Sequence, residues 1–274
     1  MQDFEIVVTK ELELPGTLIE QFPQSVRLIC EAGTGYNNID LNACRKKGIM
    51  VCNTPAYSTK RVAHTAIMLL LNLSSSMRRQ MQMLEQKDYR SFTEHLMVEH
   101  VEVNNKTLGI IGYGSIGREV IRIAKALDMN ILVYTRTPRE HEEGIQFVSL
   151  VGLLQKSDYV SLHCPLNAET RHLMDDEHLR MMKPEAVLIN TARGALVDEQ
   201  ALITALQEKR IAGAGLDVQE VEPMCKDNPL YTMSNVIVTP HMGWRGLETR
   251  QRLLQLVAEN IDAYLQGTVI NRVD

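Results

Sequence analysis

The chain has 274 residues, 45% of them hydrophobic, and a formal charge of −5, enough for a sizeable core in one large or two ordinary domains and no electrostatic case for nucleic acid. The longest apolar run, Ala66 to Leu71, is far too short to span a bilayer, and the first residues lack the basic and apolar regions of a signal peptide. Five scattered cysteines, without a C-x-x-C pair or a Cys/His cluster at ligand spacing, fit reduced thiols in the cytoplasm and argue against a zinc site.

Strand and helix patterns alternate almost throughout. Phe4 to Val8 and Val26 to Cys30 read as strands, and the second runs into the loop Glu31-Ala32-Gly33-Thr34-Gly35. Asp40 to Lys47 reads as a short helix stopped by Gly48, followed by a strand over Ile49 to Cys52. Ser58 or Thr59 caps a helix from Lys60 to about Leu73, which resumes after Ser74-Ser75-Ser76 from Met77 to Gln86. Its methionines, Met77, Met81 and Met83, suit packing rather than chemistry. Further on, Leu150 to Lys156 reads as a helix, Tyr159 to His163 and Ala186 to Asn190 as strands, and Asp198 to Lys209 as a helix. Ala214 to Val218 and Val236 to Thr239 are strands, and Gly246 to Gln266 is an amphipathic closing helix. Such alternation predicts an α/β protein with parallel sheets and helices on both faces.

Residues 107 to 136 carry the most specific signal. The apolar strand Thr107 to Ile111 enters Gly112-Tyr113-Gly114-Ser115-Ile116-Gly117, a helix follows from Ile116 to Leu127, and a second strand spans Ile131 to Tyr134. This is the dinucleotide fingerprint in its required context. Gly112 permits the tight turn, Gly114 lets the backbone approach a pyrophosphate, and Gly117 lets the helix pack on the strand. The N–H groups of the helix start, around Ser115 and Ile116, face the phosphates. After the second strand comes Thr135-Arg136, with no acid until Glu140. An acid there would accept from the ribose hydroxyls of NAD; Thr135 does not repel a 2′-phosphate and Arg136 can pair with it, so NADP(H) is expected to be favoured over NAD(H).

Ligands of a doubly wound sheet sit at the carboxyl ends of its strands. Arg193, Glu222 and His241 all follow such ends, beside the expected dinucleotide. Hydride transfer to a 2-oxo acid needs a cation for the carboxylate and carbonyl, a group that exchanges a proton near neutrality, and a carboxylate that orients that group. Arg193 offers a planar fork, His241 an imidazole, and Glu222 the acid.

These segments, with His163-Cys164-Pro165-Leu166 and Thr170, Asn190-Thr191-Ala192-Arg193-Gly194, Gly215-Leu216-Asp217-Val218 and Thr239-Pro240-His241, resemble the D-isomer-specific 2-hydroxyacid dehydrogenases. Ala32-Gly33-Thr34-Gly35-Tyr36-Asn37-Asn38-Ile39-Asp40 and Val51-Cys52-Asn53-Thr54-Pro55 resemble that family's substrate-domain signatures. The resemblance implies a Rossmann-type doubly wound domain over residues 75–244 and a smaller, discontinuous flavodoxin-like α/β substrate domain over 1–74 and 245–274, the active site lying in the cleft between them. It implies Arg193, Glu222 and His241 as the catalytic three, with Glu220 as the nearest competitor to Glu222. The Gly33-Thr34-Gly35 backbone would hold the substrate carboxylate. Thr191, Ala192 and Asp217 would lie near the nicotinamide, and Pro165 and Thr170 along the dinucleotide groove. It further implies NAD(P)H, a small-molecule 2-oxo or 2-hydroxy acid whose side chain the sequence leaves open, and a homodimer in contact through Met77 to Val103; no metal is expected. Family members carry a further strand and helix before the segment matching Phe4 to Val8, so the substrate domain is expected to lack its first βα unit. The rival readings are a cofactor-sensing, corepressor-like binding protein on the same fold and a truncated pseudoenzyme.

Overall fold

In a computed structural model, which describes residues 4–137, 139 and 142–274, the chain divides into two compact units. One runs to Ser58 and resumes over Trp244–Asp274; the other is Thr59–Gly243. Glu140, the first acid expected after the second fingerprint strand, lies outside the described residues.

The first unit holds strands β1 (Ile6–Thr9), β2 (Leu28–Glu31) and β3 (Met50–Cys52), with helices α1 (Gly16–Ile19) and α2 (Leu41–Lys47) between them. The strands are parallel, in the order β1-β2-β3. Side chains alternate across the central strand as its two-residue period requires. Ile29 packs with Ile19, Cys44 and Val51 on one face, while Leu28 and Cys30 pack with Leu253 and Val257 of the closing helix on the other. Asp40 caps α2 by accepting from Ala43 N at 3.0 Å, and Gly48, at φ +67°, ends it in the left-handed region open to glycine.

The second unit begins with α3 (Thr59–Ser74), α4 (Met77–Glu85) and α5 (Arg90–Thr93). Then come β4 (Thr107–Ile111), α6 (Ser115–Lys125), β5 (Asn130–Tyr134), β6 (Gln146–Phe147), α7 (Leu150–Lys156), β7 (Tyr159–Leu162), α8 (Asp176–Met181), β8 (Val187–Asn190), α9 (Glu199–Gln207), β9 (Gly213–Leu216) and β10 (Val236–Val238). The last helix, α10 (Leu247–Leu265), belongs to the first unit. The seven strands form one parallel sheet in the order β10-β9-β8-β7-β4-β5-β6. From β4 the chain first moves outward to β5 and β6, then returns to the other side of β4 as β7. The switch point therefore lies between β4 and β7, where an open sheet of this kind binds its ligand. One apolar cluster, including Leu153, Leu179 and Leu202 of α7, α8 and α9, covers one face. A second, including Ala63, Leu69 and Leu70 of α3 and Val120, Ile121 and Ala124 of α6, covers the other.

The division differs from the expected one at α3. That helix packs on α6, β8 and β9, because its apolar stripe Ala63, Ala66, Leu70 faces the second cluster. Gly215 of β9 gives it room: a Cβ there would stand 2.9 Å from Leu69 Cβ.

Candidate active site

The parallel register lines up the strand ends that the sequence marks. Tyr134 pairs with Ile111, Ile111 with Leu162, Leu162 with Asn190, Asn190 with Leu216, and Leu216 with Val238. These six residues form one row along the carboxyl rim. At about 4.8 Å per strand, the rim runs roughly 19 Å from β4 to β10.

At the β4 end, Gly112 has φ +103° and approaches the chain after β7 so closely that a Cβ would lie 2.6 Å from Cys164 N. Gly117 packs on the turn itself, where a Cβ would meet Gly112 O at 2.4 Å. Gly114 differs: nothing lies within 4 Å of its absent Cβ, and it is the uncapped N-cap of α6. Ser115 beside it is exposed, and Ile116 half-buried. An open approach above a helix N-terminus, with N–H groups in need of partners, fits a pyrophosphate. Tyr113 anchors the turn, its ring edge-on to Phe147 at 5.5 Å and its hydroxyl bonded to Glu142. Thr135 is half-buried past β5, and Arg136 is exposed and ion-paired with Glu169 at 2.8 Å. Past β7, the Thr170 hydroxyl donates to Pro165 O at 2.7 Å and closes the loop. His163 bonds Ser161 Oγ through Nε2 at 2.8 Å, and burial pushes its pKa down to about 4, which leaves the ring neutral at pH 7.

At the β8 end, Asn190 turns the chain. Its Oδ1 accepts from Ala192 N at 3.0 Å and its Nδ2 donates to Arg193 O at 2.8 Å. The Thr191 hydroxyl is buried without a hydrogen-bond partner among the described residues, the kind of orphan that a ligand on this rim would satisfy. Arg193 Nη1 donates to Ala192 O at 2.8 Å. Gly194 lets this segment press on the loop after β9, since a Cβ would lie 1.8 Å from Gln219 O.

At the β9 and β10 ends the remaining pieces meet. His241 Nδ1 and Glu222 Oε2 are 2.8 Å apart. Glu222 Oε1 accepts from Gln219 N at 3.0 Å. Burial alone would raise the Glu222 pKa, but the His241 hydrogen bond, the Gln219 N–H and the charges of His241 and Arg193 outweigh it and hold it below the ordinary glutamate range. Glu220 is engaged elsewhere: its Oε1 contacts His172 Nε2 at 2.7 Å and accepts from Arg171 Nη2 at 3.0 Å. His241 itself sits at φ +48°, a conformation that disfavours a residue with a Cβ. Asp217, 1% exposed, ties the surrounding turn down. Its Oδ1 accepts from Thr239 Oγ1 and Met242 N, and its Oδ2 from Gly243 N, at 2.5, 2.9 and 2.8 Å.

Gly33, Thr34 and Gly35 lie in the first unit. Asn53 Nδ2 donates to Thr34 O at 2.7 Å, and Thr34 Oγ1 to Thr54 O at 3.2 Å. Beneath them is Glu31, 1% exposed, which accepts from Asn38 Nδ2 at 3.1 Å and is pushed above the usual carboxylate range by burial. The sequence reading passed over Glu31, Asn190 and Gln219. For Asn190 there was a signal, since Asn before a turn bonds its own following backbone; for a buried acid and a backbone donor there was none.

The family model of the D-isomer-specific 2-hydroxyacid dehydrogenase NAD-binding domain matches residues 67–243. The chain is 37% identical over 276 residues to the hydroxypyruvate reductase of Blautia hydrogenotrophica, covering 99% of this chain and 85% of that protein. It is 41% identical over 247 residues to the glyoxylate reductase of Korarchaeum cryptofilum, covering 89% and 74%. Among solved structures, it superposes with TM-score 0.90 and 34% identity on an NADPH-dependent glyoxylate/hydroxypyruvate reductase of Sinorhizobium meliloti in complex with NADP and malonate, over 99% of this chain and 84% of that one. The chain therefore belongs to the D-isomer-specific 2-hydroxyacid dehydrogenases, a family of NAD(P)-dependent oxidoreductases.

Proposed function

We propose that this enzyme reduces a small 2-oxo acid, of the size of glyoxylate or hydroxypyruvate, to its D-2-hydroxy acid, with Arg193, Glu222 and His241 as the reacting set. The observation that carries the proposal is the His241–Glu222 pair, 2.8 Å apart, within the field of Arg193, on the same rim as the glycine turn. Gly112 to Gly117, with Thr191, Ala192 and Asp217 towards the reacting end, would hold a nicotinamide cofactor, which would supply the hydride. Arg193 binds the substrate carboxylate and draws electron density from the carbonyl oxygen. His241, protonated, gives its Nε2 proton to that oxygen as the carbonyl is reduced. Glu222 accepts from Nδ1–H, so the proton given up is the one on Nε2, and the carboxylate charge stabilises the imidazolium.

Thr135, where an NAD-selective site carries an acid, and the adjacent guanidinium of Arg136 support a preference for NADP(H). Comparing kcat/KM for NADPH and NADH with each 2-oxo acid tests it: the ratio is expected to exceed one, and a clear NADH preference would overturn it. The working form is proposed to be a homodimer joined through residues 77–103. In support, Met81, Leu84 and Phe92 of this stretch are 54%, 43% and 78% exposed, and exposed apolar side chains of this kind are covered at interfaces.

A further inference from the structure

We propose that Glu169 weakens recognition of the adenosine 2′ position by competing with a 2′-phosphate for Arg136, so that it sets how strongly the enzyme prefers NADP(H); this rests on the reading that Arg136 receives that phosphate. Arg136 follows β5 and Glu169 lies in the loop after β7, and these strands flank β4 on either side. At about 4.8 Å per strand, the two ends stand roughly 10 Å apart. The pair, Arg136 Nη1 to Glu169 Oε2 at 2.8 Å, therefore reaches across the end of β4, where the glycine turn begins and the adenosine would lie.

Glu169 does not reach there by chance of a loose loop. Its N–H donates to Asn167 Oδ1 at 2.9 Å, and the loop is closed by Thr170 Oγ1 on Pro165 O. Two bases attend the glycine turn. Arg139 and Arg118 stand over the Tyr113 ring, 5.1 and 5.7 Å from its centre. Glu169 holds the guanidinium that a 2′-phosphate would claim. A 2′-hydroxyl needs no cation and gains nothing from the displacement.

Both side chains are largely exposed, 78% for Arg136 and 70% for Glu169. A pair of this kind shifts an equilibrium by roughly two- to five-fold, whereas a guanidinium on a phosphate forms paired, charge-assisted bonds. The phosphate therefore wins Arg136, but at reduced affinity.

The test is calorimetric binding of adenosine 2′,5′-bisphosphate and of 5′-AMP to the intact chain, with the ratio of the two dissociation constants as the readout. Glu169→Gln is expected to raise the preference for the bisphosphate by about two- to five-fold, less at high salt. Arg136→Gln is expected to abolish most of the preference, and adding Glu169→Gln to it should change nothing more. If Arg136→Gln lowers the preference while Glu169→Gln leaves it unchanged, the inference fails and the reading beneath it stands. A Glu169→Gln gain that persists without Arg136 also overturns it, because the effect would then not pass through the guanidinium. If Arg136→Gln alone leaves the preference intact, the reading falls and the inference with it.

Discussion

Glu222 shows how a single side chain acquires a role from its surroundings. Its two oxygens are taken by His241 and the Gln219 N–H, while Glu220, two residues earlier, faces Arg171 and His172. Glu222→Gln keeps the shape and removes the charge that favours the imidazolium. Turnover in the reducing direction is expected to fall, with the rate declining at lower pH than in the parent; a pH–rate profile of unchanged shape would contradict the assignment. Gly194→Ala is predicted to be as damaging without touching any reacting group. Its Cβ would occupy the space of Gln219 O, 1.8 Å away, so the Arg193 segment and the Glu222 loop must separate. Steady-state kinetics should show a loss of kcat/KM of at least about ten-fold, on the scale expected when reacting groups are displaced by an ångström. In the sequence, the proposal of Glu222 over Glu220 rests on family pattern alone, because loop residues after a strand carry no periodicity that says which way each side chain points. The left-handed backbone of His241 and the bonds by which Asp217 holds its turn were not legible, since they depend on strands far apart in sequence.

Elements with strong patterns were readable and weakly patterned ones were not. Thr107–Ile111 and Leu150–Lys156 fall where the sequence places them, one as an apolar run before a glycine turn, the other behind a Ser149 cap. By contrast α1, α8 and β6 have four, six and two residues, too few for a period to register. Helix α3 was readable as a helix, but its allegiance was not: an apolar stripe does not say which sheet it covers. The stretch through α4 and α5 keeps its apolar side chains outside, with Phe92 78% exposed. If it joins two copies, Phe92→Glu should shift sedimentation from dimer towards monomer at micromolar concentration. A parent chain that sediments as a monomer would contradict the dimer outright.

At the scale of the whole molecule, carboxylates that bind strand ends together make the fold sensitive to acid. Asp158, at the amino end of β7, accepts from Thr107 N at 2.7 Å and Lys183 Nζ at 2.8 Å. Burial would raise its pKa, but these donors bring it below the ordinary value of 3.8. A depressed carboxylate contributes stability above its unfolded pKa and loses it as pH falls through the folded value. The contribution of Asp158 is therefore full at neutral pH and fades as pH falls below the ordinary carboxylate value of 3.8. Asp158→Asn should lower the melting temperature near pH 7, and the gap to the parent should narrow as pH falls through the acid range. A gap that stays constant with pH would show the carboxylate charge to be irrelevant. Glu31 works in the opposite sense, since burial raises it and protonation relieves its cost on acidification.

The proposed reaction is hydride transfer to a 2-oxo acid with His241 as the proton donor. The most direct measurement follows oxidation of NADPH and NADH by glyoxylate and hydroxypyruvate for the parent and His241→Ala, with cofactor binding measured separately on both. The parent should turn over, and the variant should lose about 10²- to 10⁴-fold in kcat while binding cofactor as the parent does. Turnover in His241→Ala within a few-fold of the parent, or a parent that binds cofactor and reduces none of these acids, would contradict it.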